Sequence, residues 1–312
     1  MTRVLTTSHG TNREAFSSTD WGLFAGLSAV WGSSFLFMAI GLDAFDPGLV
    51  TLLRVGFGAM VMYGVSKTRP TKIPRSDWPA LATLAVIWIA IPMTIFPIAQ
   101  QWIDSGVAGM LNGATPIFTA VVATLILKQL PGRRQVGGLL IGFVGVVAIA
   151  LPSAGSKSTA AIGVLLVLVA TICYAFASNI VAPLQQKHGS LAIMARLQWM
   201  GAVLVLPYGV YGAANSSFAW DSLLATMAVG VLGTGIAFVM MSNLIGRVGP
   251  TRATFITYVI PVVALILGVV FRNEVIAPIA VAGVGMVIVG AALASRREVW
   301  ASRRSGKLLN VT

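Results

Sequence analysis

The chain has 312 residues, of which 57% are hydrophobic and only 10% charged, and its mean hydropathy is +0.88. A soluble domain carries roughly 25% charged residues, and one of this composition would show large apolar patches to water, so the sequence is that of a polytopic membrane protein. The net charge of +12 does not point to nucleic acid. The cations sit in short loops and tails between apolar runs, as membrane topology signals do.

The first 19 residues are polar and are predicted to form a disordered tail that is kept. The apolar run that follows is a full membrane span, longer than the 7–15-residue core of a cleaved signal. Runs of about 20 residues, the length that crosses a ~30 Å hydrocarbon core, predict ten helices. They cover 20–42, 47–66, 78–100, 105–128, 134–152, 160–184, 190–212, 220–245, 249–271 and 277–295. The loops are short. The longest, Ser66–Asp77, holds Pro70 and Pro74, which oppose regular structure. With the N-terminus inside, 17 lysines and arginines fall on the inner side and only Lys157 and Arg272 on the outer. That bias predicts two cytoplasmic termini, the second a basic tail over 296–312.

Span two holds Arg54 and span seven Arg196, each about 10 Å inside its membrane face at 1.5 Å per residue. Either they snorkel and cap neighbouring carbonyls, or they act as gate elements or attract a substrate carboxylate. Span four, GVAGMLNGATPIFTAVVATLILKQ from Gly106 to Gln129, has Pro116 near its middle and the amide of Asn112 one turn earlier. A comparable run, Thr251 to Glu274, returns 145 positions later with Pro261 where Pro116 fell. Each proline removes a backbone donor and frees the carbonyl four residues earlier, at Asn112 and Thr257. Pro116 and Pro261 are therefore the predicted hinge. Gly138 and Gly145 match Gly283 and Gly290 at the same offset, and with small gaps Arg54 matches Arg196 and Trp31 matches Tyr174. Five spans per half is an odd number, so the second half enters the membrane upside down. The fold class is all-α: ten transmembrane helices as two inverted five-helix repeats, 20–152 and 160–295, an architecture suited to alternating access.

Spans five and ten are rich in glycine and nearly free of polar groups, and read as peripheral packing helices. Their outer faces can meet lipid or a second copy, so the protein is a monomer or a homodimer. The other eight spans would surround a cavity. Its candidate polar contacts are Ser34, Asn112, Asn179 and Asn243, each of which can instead serve as glue between helices or, for the serine, bond its own helix. Its candidate aromatics are Trp31, Trp88, Trp102, Tyr174, Trp199 and Tyr258, against the plainer reading of core packing, or of an interface belt for Trp102.

All nine acids lie in tails, loops or last turns, and neither His9 nor His188 is at a span centre. A proton-driven transporter usually holds such a group at membrane depth. The sequence favours facilitated diffusion of the substrate down its own gradient, with coupling through a rim acid such as Asp104 as the alternative. No HExxH, catalytic triad, carboxylate pair, Cys/His cluster or phosphate loop is present, so neither an enzyme, a metal site nor a cofactor is expected. The single cysteine, Cys173, cannot form a disulfide within the chain.

Trp31-Gly32-Ser33-Ser34-Phe35, Leu53-Arg54, the two proline helices and Glu274 before a glycine-spaced last span resemble the EamA family of the drug/metabolite transporter superfamily over about 20–295. Within that family the chain is most similar to bacterial aromatic amino acid exporters. The resemblance implies an inner-membrane exporter of amino acids and related metabolites that hydrolyses no ATP. Gln129 departs from it, because the family often has an acid there. The partners expected are a small-molecule substrate and the lipid bilayer. The rival readings are an exporter of cationic or amphiphilic drugs and a non-transporting membrane scaffold.

Overall fold

Hydrocarbon offers no partner to backbone N–H and C=O groups, so each apolar run must close its own hydrogen bonds as a helix. The computed structural model describes residues 17–65, 72–127, 133–156, 158–248, 253 and 256–294, and every regular element among them is helical. Local sequence sets the ends. Helix α1 (Ser18–Leu42) starts on a capping box in which the Ser17 hydroxyl accepts from the Asp20 N–H and the Asp20 carboxylate accepts from the Ser17 N–H. Helix α2 (Pro47–Gly64) starts with proline in its first turn and with Asp46 accepting from the Gly48 N–H. A single 3-10 turn, Arg75–Asp77, forms after Pro74, where irregular chain was expected. It leads into α3 (Trp78–Leu84, Ala85–Ala90 and Ile91–Ala99).

Helix α4 is Ser105–Asn112 and Thr115–Leu127, α5 is Arg133–Ser156, α6 is Ser158–His188 and α7 is Ser190–Ala214. Helix α8 is Trp220–Ala228, Val229–Ile236 and Ala237–Val248, α9 is Ile256–Arg272 and α10 is Pro278–Ala294. Seven of these are long and apolar enough to span a membrane, while α5, α9 and α10 carry shorter apolar stretches, Val136–Pro152, Ile256–Arg272 and Pro278–Leu293. Seventeen helical residues rise about 25 Å, at the lower end of what spans a bilayer. The helices sit within a few residues of the expected spans. The expected ends at 66, 128, 249 and 295 lie outside the described residues.

Successive helices alternate in direction. Asp20, Asp77, Lys187 and Arg247 gather at one face (the Asp20 face), and Asp43, Arg272 and Glu274 at the other (the Glu274 face). The inversion is legible in how α5 meets α10. A Cβ on Gly145 would lie 2.7 Å from the Gly283 carbonyl oxygen, and one on Gly290 would lie 2.6 Å from the Gly138 carbonyl oxygen. Under the 145-residue repeat, the contact 138–290 is the image of the contact 145–283. Such reciprocal pairing is the mark of a two-fold axis. It runs between α5 and α10, and these helices pack mainly on each other.

The repeats also exchange their first helices. Helix α1 lies against α8 and α9 of the second repeat, and α6 against α3 and α4 of the first. Salt bridges fix both exchanges. Asp20 and Asp43 tie the two ends of α1 to Arg247 of α8 and Arg272 of α9, and Asp77, in the turn that leads into α3, receives Lys187 Nζ at 2.9 Å and His188 Nε2 at 2.7 Å from the end of α6. One apolar cluster fills the α1–α4–α9 side, around Phe35, Met110, Leu111 and Ile260, and a second fills the α2–α3–α7 side, around Met62, Leu84 and Leu197.

Candidate functional site

The two proline helices meet at the centre. Gly106, Gly109 and Gly113 form one stripe of α4, and α9 lies directly on it. A Cβ on Gly113 would strike the Pro261 ring, one on Gly109 would strike Ala264, and one on Gly106 would approach a Glu274 carboxylate oxygen to 2.7 Å. Only glycine lets the backbones come this close. Helix α4 breaks there. The Gly113 N–H is shared between the Gly109 and Met110 carbonyls at 3.3 and 3.1 Å, and the Ala114 and Ile117 N–H groups bond three residues back, to Leu111 and Ala114. The turn tightens because Pro116 cannot donate. The carbonyl expected to be freed at Asn112 accepts the Thr115 hydroxyl at 2.7 Å. Pro261, in contrast, lies inside the continuous helix α9. The matched prolines are therefore not matched breaks: α4 has glycines and a threonine to accommodate one, whereas Pro261 is buried against Gly113.

A second pair of irregularities was not anticipated. Helices α3 and α8 each widen into a π-helical stretch, Ala85–Ala90 and Val229–Ile236, which begin at nearly equivalent places in the two repeats. Such stretches present carbonyls sideways and recur at functional sites. The Trp31 Nε1–H donates to the Gly233 carbonyl at 3.0 Å, and its ring meets Phe238 edge-on at 6.2 Å. Trp88 lies within the α3 stretch and is half-buried. Tyr174, the counterpart of Trp31, stacks on Phe96 at 6.1 Å, and Phe96 meets Phe35 edge-on at 5.6 Å. Phe35, Phe96 and Tyr174 thus form a continuous aromatic wall across α1, α3 and α6.

The polar candidates divide. Ser34 is buried and donates to the Val30 carbonyl at 2.9 Å. Asn179 joins α6 to α4, its Nδ2 donating to Ala175 O at 2.8 Å and lying 3.4 Å from Thr119 O. Asn112 keeps a buried Oδ1 with no hydrogen bond. Tyr258 is half-buried against the α1–α4–α9 cluster. Trp102, Trp199 and Asn243 are exposed; Trp199 sits edge-on to Tyr63 at 6.2 Å and Trp102 lies at the Glu274 face. Arg196 bonds the Ala192 carbonyl of its own helix at 2.8 Å. Arg54 does not snorkel: it is 8% exposed, its Nη1 reaches Met38 Sδ at 3.1 Å, and its Nε has no hydrogen bond. Two glutamines escaped notice in the sequence. Gln198 is 0% exposed with neither amide atom hydrogen-bonded, and Gln100 donates to the Phe35 carbonyl at 3.2 Å but leaves Oε1 without a partner. A lone amide in an apolar run, the signal that singled out Asn112, was present at Gln198 as well.

At the Glu274 face a clamp joins the two repeats. Asn273 takes the left-handed conformation (φ 52), and the Glu274 N–H returns to the Gly268 carbonyl at 3.2 Å. That reversal aims the carboxylate at the start of α4, where it accepts from the Ser105 and Gly106 N–H groups, each at 2.8 Å, and from the Ser105 hydroxyl. A carboxylate at a helix N-terminus satisfies orphan donors and meets the positive end of the helix dipole. Asp104, at the capping position itself, makes no such bond. Partial burial, and then the nearby Glu274 charge, push its carboxyl above the ordinary value. Gln129, the position equivalent to Glu274, lies outside the described residues.

The sequence matches the EamA-like transporter family twice, over 21–151 and 161–296, which are the two halves related by the α5–α10 axis. A probable terminal-alkyne amino-acid exporter of Streptantibioticus cattleyicolor is 25% identical over 294 residues, 93% of this chain and 97% of its own. The uncharacterized inner membrane transporter YedA of Escherichia coli K12 is 27% identical over 278 residues, 86% and 88% of the two chains. The uncharacterized transporter YdfC of Bacillus subtilis is 26% identical over 264 residues, 84% and 85%. A solved crystal structure shares the fold with a TM-score of 0.61 at 18% identity, covering 89% of this chain and 97% of its own. Duplicated in sequence, inverted in space and matched by a family model in each half, the chain belongs to the EamA-like transporter family and is a membrane transporter of small molecules, not an enzyme.

Proposed function

We propose that the protein exports zwitterionic amino acids, aromatic and other small neutral ones, by alternating access and down their own gradient. The observation that carries the alternating-access reading is the broken α4 seated on Pro261. Its first segment, Ser105–Asn112, lies on α9, whereas Thr115–Leu127 leans on α6 and α10. Rotation at Gly113–Ala114 changes the angle between these segments without unzipping either. The Glu274 clamp joins the first segment to the end of α9, and the positive-inside bias supports that face as the outer one and both termini as cytoplasmic.

The amino-acid reading is supported by the exporter relative and by the chemistry around the break. Trp31 and Tyr174 offer aromatic surface and Asn112 an amide oxygen in need of a donor, and Trp88, Ser34, Asn179 and Tyr258 are the further candidate contacts. Uncoupled transport is supported by the carboxylates, which stand at helix ends or in loops at every described position. The test is counterflow in proteoliposomes with labelled phenylalanine, threonine and a quaternary ammonium ion. Saturable exchange of the two amino acids alone is expected. Exchange of the cation alone would replace this reading with drug export, and exchange of none would leave a transporter of another substrate class.

A further inference from the structure

We propose that Arg54 and Gln198 form a subsite that pairs with the carboxylate and ammonium of a transported zwitterion, an assignment that rests on the amino-acid reading above. A guanidinium keeps its proton at any ordinary pH. Buried away from water it is strongly destabilising unless an opposite charge is supplied. Arg54 is 8% exposed, yet no carboxylate among the described residues bonds it, and its one hydrogen bond goes to the Met38 thioether. Four of the described acids are engaged at the two faces, Asp20 with Arg247, Asp43 with Arg272, Asp77 with Lys187 and Glu274 with the start of α4, and Asp104 stands at the Glu274 face beside that clamp.

Gln198 carries the second half of the argument. It is wholly buried, and its donor and its acceptor both lack partners. Its amide reaches the face of α2 that bears Arg54: a Cβ on Gly58, one helical turn along from Arg54, would lie 3.0 Å from Gln198 Nε2 and against Thr234 of α8. A buried amide left without partners is expensive. A cation without an anion and, one turn along the same face of α2, an amide with both valences open are complementary to an α-amino acid. Arg54 Nε and the Gln198 amide N–H meet the two carboxylate oxygens, and Gln198 Oε1 accepts from the ammonium. The substrate carboxylate then offsets the Arg54 charge, and the ammonium keeps a polar acceptor in Gln198.

The test is competition against labelled phenylalanine counterflow by unlabelled phenylalanine, its methyl ester and phenethylamine, in the wild type and in Arg54→Met, Arg54→Lys and Gln198→Leu. In the wild type, ester and amine should compete at least about tenfold more weakly than phenylalanine, the value of a lost charge-assisted hydrogen bond. Arg54→Met should lower phenylalanine exchange about ten- to a hundredfold while melting no lower than the wild type in detergent, because it removes an uncompensated charge. Arg54→Lys should retain part of the exchange. If ester and amine compete as well as phenylalanine, the subsite is wrong while amino-acid export stands. That outcome is read on the wild type alone and needs no variant to fold. If Arg54→Met melts lower and loses exchange only in proportion to folded protein, Arg54 is structural and the proposal falls. Undiminished exchange by Gln198→Leu would also overturn the zwitterion pairing. A wild type that exchanges no phenylalanine removes both this proposal and the reading beneath it.

Discussion

Asp104 stands where a side chain would ordinarily cap α4, but the cap arrives from Glu274, 170 positions along the chain. The consequence is a pH signature of definite sign. Because partial burial and Glu274 raise the Asp104 carboxyl above its ordinary value, the folded state holds this proton more tightly than the unfolded state. Stability therefore falls as pH rises from the ordinary carboxylate value to the raised one, and is level beyond it. Asp104→Asn should remove that slope, so melting curves of the two proteins across mildly acid pH should diverge in this window. Parallel curves would show that the shift is absent. Single residues were unevenly legible in the sequence. Trp31 and Asn112 stood out as a large ring and an amide in apolar runs, and each has a specific role or need in the structure. The clamp was invisible, because whether a carboxylate at the end of one helix reaches the start of another depends on the reversal at Asn273.

Helices were easier to read than their irregularities. Ten apolar runs of membrane length fix ten helices, since lipid leaves the backbone no other solution. Pro116 announced a break in α4, but an equal break at Pro261 did not follow, because a proline's effect depends on whether its neighbours can tighten the turn. The π-helical stretches in α3 and α8 had no sequence signal at all: Ala85–Ala90 and Val229–Ile236 are ordinary apolar runs containing no proline, and the second is distinguished only by three glycines. Two substitutions separate hinge from packing in α4. Gly113→Ala forces a Cβ into the Pro261 ring and to 3.0 Å from the Met110 carbonyl oxygen, which should cost about 1–3 kcal/mol and show as a lower melting temperature. Pro116→Ala allows the helix to close across the break and should slow exchange more than it lowers folded yield. Equal loss of rate and yield in Pro116→Ala would remove the hinge. As a control, Gly137→Ala meets nothing within 4 Å and should leave melting unimpaired.

The duplication was the most legible feature of all, and also the one whose three-dimensional form was least foreseeable. An odd number of spans per half dictates inversion, and the reciprocal contacts of Gly145 with Gly283 and Gly138 with Gly290 realise it. The exchange of α1 and α6 between halves has no signature in hydropathy, because it is set by which apolar faces fit. Each half packs around the first helix of the other repeat, tied at α1 by Asp20–Arg247 and Asp43–Arg272 and at α6 by Asp77–Lys187. Under the proposed uncoupled exchange, the substrate alone would carry such a transporter between its two states. The decisive measurement is efflux of labelled phenylalanine from proteoliposomes with the membrane potential clamped, with and without an imposed pH gradient. Saturable efflux above that of protein-free vesicles, unchanged by a gradient of either sign, is the predicted result. Efflux no faster than from protein-free vesicles, or accelerated by a gradient of one sign, would contradict it.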